Sequence, residues 1–183
     1  MKGNAMKPRA HVLIVVSAVF FLALAPQPSA QQRTKTLDWT PWQFLLGEWV
    51  GEGGGEPGQG AGGSTFEMDL QDTILVRKNL AEYPATADRP AMRHDDLMII
   101  YQQSGSVRAV YFDNEGHVIQ YAANVSLDGT TWTFLSEPQA GAPRFRLTYT
   151  KETADSVRIE FDVAPPGKPE DFSSYIRSRT RRK

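Results

Sequence analysis

The sequence predicts an all-β fold: an antiparallel up-and-down β-barrel of about ten strands, entered through a short N-terminal helix. Three observations lead there. Apolar side chains recur at every second position through most of the chain beyond Ser64, the period of strands with one buried face. Short turn signals separate the runs, at Ser104-Gly105, Asn114-Glu115-Gly116, Asp128-Gly129 and Ala154-Asp155-Ser156, as in consecutive hairpins. Long crossing connections, which a β-sandwich uses, are scarce, and closing a meander on itself removes the exposed edges of an open sheet.

The first element is a leader. Lys2, Lys7 and Arg9 precede an apolar run from His11 to Ala25, and the small-residue stretch PQPSA follows. A basic start, an apolar core too short to span a bilayer comfortably and small residues before a polar stretch are the parts of a secretory signal peptide. The expected organisation is a signal peptide over 1–30, cleaved after Ala30, and one barrel domain over 31–183, exported to the periplasm or the extracellular space. A retained N-terminal anchor is the alternative. After cleavage no stretch is apolar enough for stable membrane insertion. The remaining residues, about 150, suit one domain with its own core.

In the next element Thr40 is placed as a cap, Pro41 at the first helical position and Gly47 at the stop,. Trp42, Leu45 and Leu46 give that helix an apolar face. The strands follow. Phe66, Met68 and Leu70 alternate in the first, and RHDDLMIIYQQ is rich in apolar residues. Val107, Ala109 and Tyr111 share a face, as do His117, Ile119, Tyr121 and Ala123. Trp132 and Phe134, then Phe145, Leu147 and Tyr149, then Val157, Ile159, Phe161 and Val163 repeat the pattern, with Arg108, Arg144, Arg146 and Arg158 on the opposite faces. The last run carries Phe172, Ser174 and Ile176. Two proline-bearing loops, Glu82 to Met92 and Ala164 to Asp171, are the long connections and read as barrel rims.

Between Phe44 and Gly63 the chain is dense in glycine. Dinucleotide-type spacings occur there, at Gly53, Gly55 and Gly58 among others, but a phosphate loop needs a strand before it and a helix after it. Here STFEMDL follows, with strand period, and Glu52 and Glu56 would repel phosphate. The stretch reads as a flexible connector between the first two strands, at a barrel mouth.

FLLGEWVGEGGG, followed by alternating strands, resembles the opening of the lipocalin-like superfamily, both its nitrobindin-type heme barrels and a family of uncharacterised bacterial lipocalin-like domains. HDDLMIIYQQSG, VRAVYFDNEGHVIQY and SSYIRSRT are similar to segments of the latter. The resemblance implies a barrel plugged at one end by a short helix, with Trp49 of the Gly47-Glu48-Trp49 triplet packed across the floor. Nitrobindin-type barrels hold heme through a histidine near the C-terminus. This chain has none after His117, so no heme ligand carries over and no cofactor is implied.

Composition narrows the function classes. The formal charge is −1, about −4 once the basic leader is removed,, which argues against a nucleic-acid partner. The cluster Arg177, Arg179, Arg181, Arg182 and Lys183 reads as a solvated, frayed terminus, with a patch for anionic lipid or nucleic acid as the alternative. The chain has no cysteine, which excludes disulfides, thiol nucleophiles and thiolate metal sites.

The expected partner is therefore a small hydrophobic or amphipathic molecule inside the barrel. Trp49, Tyr101, Tyr111, His117, Tyr121 and Trp132 are the candidate ligand-facing residues, because buried tyrosines need partners for their hydroxyls. Two alternatives stay open. One is a cavity enzyme of the cyclase or isomerase type using His94, Asp96 and His117 for acid–base work. The other is a structural or partner-binding barrel with a filled interior. His94 and Asp96 fall on one face of their strand. A metal site there would need a third ligand from His117 or Glu82, and a polar strand entrance is the expected role instead, with no metal.

Overall fold

The computed structural model describes residues 38–53 and 61–183. The expected leader and cleavage site and the centre of the glycine-rich stretch lie outside these residues. The chain runs through a 3-10 helix, Thr40–Leu45, and ten strands: β1 Gly47–Gly51, β2 Ala61–Asp69, β3 Ile74–Tyr83, β4 Met92–Gln103, β5 Ser106–Asp113, β6 Val118–Val125, β7 Thr131–Ser136, β8 Arg144–Lys151, β9 Ser156–Ala164 and β10 Ser173–Arg182. Each strand pairs antiparallel with its sequence neighbours, and β1 pairs with β10, so the sheet is a closed barrel. The all-β, up-and-down architecture read from the period of two is the one observed.

Strand direction alternates, so the connections fall at two ends. β1 ends and β2 begins at one end, the mouth, onto which both long loops also open. The turns joining β2 to β3, β4 to β5, β6 to β7 and β8 to β9 lie at the other, among them Ser104-Gly105, where both residues take positive φ (51° and 82°), as a two-residue hairpin turn requires.

The helix closes the end opposite the mouth. Its geometry differs from the expectation in one detail: Trp39 is the cap residue, with no side-chain cap bond, and Thr40 is already inside the helix. Asp38 accepts instead, its Oδ1 taking the Thr40 N–H at 3.0 Å. A 3-10 helix has three residues per turn, which aligns Trp42 with Leu45 and buries both. Trp42 lies 5.9 Å from the Phe134 ring, and Phe44 stacks on Trp132 at 5.5 Å. The two indoles that hold the plug donate into it: Trp49 Nε1 to the Leu45 carbonyl (2.8 Å) and Trp132 Nε1 to the Pro41 carbonyl (2.9 Å). Above the plug, Phe66, Tyr121, Phe134 and Tyr149 fill the lower barrel, each nearly inaccessible to solvent.

The basic terminus is not frayed. It is the closing strand, β10. Arg182 points inward beneath the barrel, donating to the carbonyls of Leu46 (2.7 Å) and Phe44 (2.8 Å) with its guanidinium 4.3 Å from the Trp49 ring centre. Its neighbours face outward and are met by acids: Arg177 by Glu160, Arg179 by Glu152 and Lys183 by Glu48. Arg182→Ala is therefore expected to cost about 2 kcal/mol, the worth of charge-assisted bonds to partly buried carbonyls,. Arg181→Ala, on the exposed side, should change the urea midpoint little. Equal midpoints for the two variants would contradict the role given to Arg182.

Candidate functional site

The inner wall near the mouth is polar where β3, β4 and β5 meet. In β3, Leu75 is buried, so Arg77, Asn79 and Ala81 share its inward face. Register places Arg77 opposite Met98, Asn79 opposite Asp96 and Ala81 opposite His94. On the next strand Asp96 faces Asp113 and Met98 faces Tyr111. A column of polar side chains thus descends from His94 through Asp96 to Arg77, in a wall otherwise made of Leu75, Met98 and Ile100.

Asp96 is the centre of this column. Asn79 Nδ2 donates to its Oδ2 at 2.8 Å, Arg77 Nη2 donates to the same oxygen at 3.1 Å, and His94 Nε2 lies 3.4 Å from it. Arg77 Nη2 is also 3.0 Å from Oδ1. Its N–H points at Oδ2, however, so Oδ1 has charge contact but accepts no hydrogen bond, and Arg77 Nε and Nη1 are likewise without partners. The arginine is 6% exposed and the aspartate 8%. Tyr149 lies beside the guanidinium, its ring centre 5.9 Å away.

A second layer caps the column at the mouth. The turn joining β5 to β6 is bound to β4, because Asn114 N donates to the Asp95 carbonyl (3.0 Å) and Asn114 Nδ2 to the Arg93 carbonyl (3.1 Å). That brings Glu115 Oε1 to 2.9 Å from His94 Nδ1. His94 Nε2 sits 3.1 Å from the Tyr111 hydroxyl, which donates to Asp113 Oδ2 at 3.2 Å. His117 Nδ1 lies 2.8 Å from that same oxygen. His94, Tyr111, Asp113 and His117 therefore form one connected chain across the rim.

Electrostatics fixes the protons in this chain. The His94 pKa is pushed up to about 9, chiefly by Asp96, with Glu115 adding and partial burial opposing. At neutral pH the ring is a cation. Burial, reinforced by the charges of Asp96 and Asp113, pushes the Tyr111 hydroxyl far above the ordinary phenol value, so it remains a donor. Burial would raise the Asp113 carboxyl, but the His117 backbone N–H and ring outweigh it and hold the pKa low. Burial raises the Tyr149 hydroxyl to about 12.

A pH dependence follows from His94. Its pKa is about 9 in the folded chain against 6.5 for the free side chain. The stabilisation is therefore fully present below pH 6.5 and disappears as the pH rises through about 9,. The urea midpoint of the protein is expected to fall across that window, and His94→Gln to flatten the fall. A midpoint that stays level in the unsubstituted protein would contradict the assignment.

The opposite wall at the mouth is apolar. Phe145 and Phe161 stack at 5.7 Å, and Tyr175 meets Phe161 edge-on at 6.2 Å. Phe145 lies in phase with the buried Leu147 and Tyr149, and Ile119 with Tyr121, yet Phe145, Phe161 and Ile119 are only half-buried.

The candidate ligand residues separate into three groups. Trp49, Trp132 and Tyr121 are in the sealed lower core. Tyr111 is half-buried at the polar rim. Tyr101 and His117 depart from the expected interior positions. Tyr101 alternates with the buried Met98 and Ile100 and so occupies the outer face. β6 begins at Val118, one residue later than the alternation suggests, which leaves His117 in the turn with a side chain 61% exposed. Glu82 pairs with Arg93 at 3.5 Å, away from His94 and Asp96. Among the described residues no three His, Asp or Glu side chains converge as a metal-binding group. A cleft of about 420 Å³ lies over β1–β3, bounded mainly by the outward residues Glu48, Val50, Thr65, Lys78 and Leu80. It is separate from the polar column, apart from Asn79 at its edge.

No protein-family model matches this chain, and no curated protein is similar to it. The site must be judged on its own chemistry.

Sequence reasoning missed Arg77 and Asn79. In ILVRKNL the outward set Ile74, Val76, Lys78 and Leu80 has three apolar members and the inward set Leu75, Arg77 and Asn79 only one, so periodicity alone points the wrong face inward. Phe145 and Phe161 lie on the face that alternation predicts, but their place in the mouth wall depends on which end the helix plugs, which spacing does not show.

Proposed function

We propose that this protein is an exported, lipocalin-like binding barrel that takes a small amphipathic molecule through its mouth. The observation that carries the reading is the contrast along the inner face. Aromatic side chains are sealed near the plug, whereas Phe145, Phe161 and Ile119 stay half-exposed at the mouth. Apolar side chains directed inward yet reachable by solvent are the lining a ligand covers. Facing them, His94, Asp96 and Tyr111 supply polar groups that can orient one end of that ligand. Export rests on the leader sequence,.

Acid–base catalysis is the weaker reading. His94 carries its proton at neutral pH, and both its ring nitrogens are engaged, so no free base stands in the column. A wholly filled interior describes the plug half better than the mouth half.

Native mass spectrometry of the protein purified from its own exported fraction tests the proposal. The expected result is a co-purifying small molecule released on denaturation. A bare mass, followed by no response to a panel of hydrophobic fluorescent probes, would overturn it.

A further inference from the structure

Arg77 and Asp96 form an ion pair that is buried but incompletely bonded. Arg77 Nε and Nη1 make no hydrogen bond, although the Tyr149 hydroxyl interacts with the guanidinium, and Asp96 Oδ1 accepts none, although Arg77 Nη2 lies 3.0 Å from it,. Buried polar groups in this condition are costly. The two orphan sets are complementary in kind, donors on one residue and an acceptor on the other. They belong to two residues in direct contact, since Nη2 touches both carboxylate oxygens.

The surrounding formal charges restrict what could satisfy them. Arg77 and His94 are the cations. Asp96, Asp113 and Glu115 are the facing carboxylates, with His117 bound to Asp113. No positive charge is left uncompensated. A carboxylate entering here would meet Asp96 Oδ1 and find no spare cation, and an ammonium group would meet Arg77. A neutral group that both donates and accepts would complete the bonding on both residues without adding charge to a desolvated site.

Tyr111 spans the strand level of this pair. Its backbone is opposite Met98, but its hydroxyl reaches His94 and Asp113 nearer the mouth, so its ring crosses the level of Asp96. The orphan atoms are out of solvent contact in this arrangement, so a ligand reaches them only when the side chains around them move.

From this arrangement we infer that the amphipathic ligand of the barrel has a neutral donor–acceptor head group, such as a primary amide or a hydroxyl, bonded to the unpaired atoms of both Arg77 and Asp96, with its apolar tail along Phe145 and Phe161. The inference rests on the binding reading above. It specifies a head-group chemistry that neither the fold nor the leader implies.

The test compares decanamide, decanol and decanoate by isothermal titration calorimetry, with the protein free of co-purified ligand. Decanamide and decanol are expected to bind about tenfold or more tightly than decanoate, the scale of one hydrogen bond to a charged group. Asp96→Asn removes the opposing carboxylate and frees the arginine charge, so decanoate should become the preferred ligand. Decanoate binding most tightly to the unsubstituted protein would overturn the head-group inference while leaving the binding reading in place. So would a ranking that a folded Asp96→Asn protein leaves unchanged. If none of the three binds, both the inference and the binding reading fail. Should the variant not fold, the ranking on the unsubstituted protein decides alone.

Discussion

Replacing Gly63 by alanine should cost more than about 3 kcal/mol, enough to unfold a marginal domain. A Cβ built at Gly63 would lie 2.1 Å from the Trp49 carbonyl oxygen and 3.1 Å from its carbon. Neither neighbour can retreat. Trp49 is bonded to the plug through its indole, and β1 is paired on its other edge with β10. Gly116→Ala provides the comparison. There φ is +92° and nothing lies within 4 Å of the added carbon, so the penalty is that of an unfavourable backbone angle alone, about 1 kcal/mol. Chemical denaturation of both variants, followed by circular dichroism, checks the difference. Losses of the same size would refute the steric account of Gly63.

Arg77→Met is the second large effect, at about 3–5 kcal/mol, because it leaves the buried Asp96 carboxylate without its arginine,. The double variant Arg77→Met with Asp96→Asn should recover part of this, since no charge is then stranded between the two positions. The recovery distinguishes charge from packing. If Arg77 mattered only through the volume it fills beside Met98 and Phe66, the second substitution would return nothing.

Much of the barrel was legible because its physics is local. A strand with one buried face must alternate, and a two-residue turn with positive φ favours glycine, so β5 through β9 could be read from spacing. The plug was legible through Pro41 and the indoles, although its 3-10 geometry was not, since six residues cannot distinguish a period of 3.0 from 3.6. The site was largely hidden. His94 and Asp96 could be placed on one face together, but Arg77 lies on the less apolar side of its strand and is directed inward by its neighbours in space. His117 differed by a single residue of strand register, because Asp113 binds both its backbone N–H and its ring and keeps it in the turn. The terminal arginines looked solvated because nothing nearby in sequence could indicate that acids on β1, β9 and the preceding turn would meet them.

Closure by β1 and β10 has a kinetic meaning. The barrel's final seam joins Trp49, Val50 and Gly51 to Thr180, Arg181 and Arg182, so almost the whole described chain lies between its two sides. Nine hairpin-linked strands can assemble in sequence through local contacts, but the seam cannot form until β10 has been synthesised. Such long-range pairing is slow. Until it forms, β1 and the growing end of the sheet both present open backbone edges. A ribosome-bound chain of this topology therefore remains an unfinished, extendable sheet throughout its synthesis. That is the state in which the polypeptide most needs protection from its neighbours.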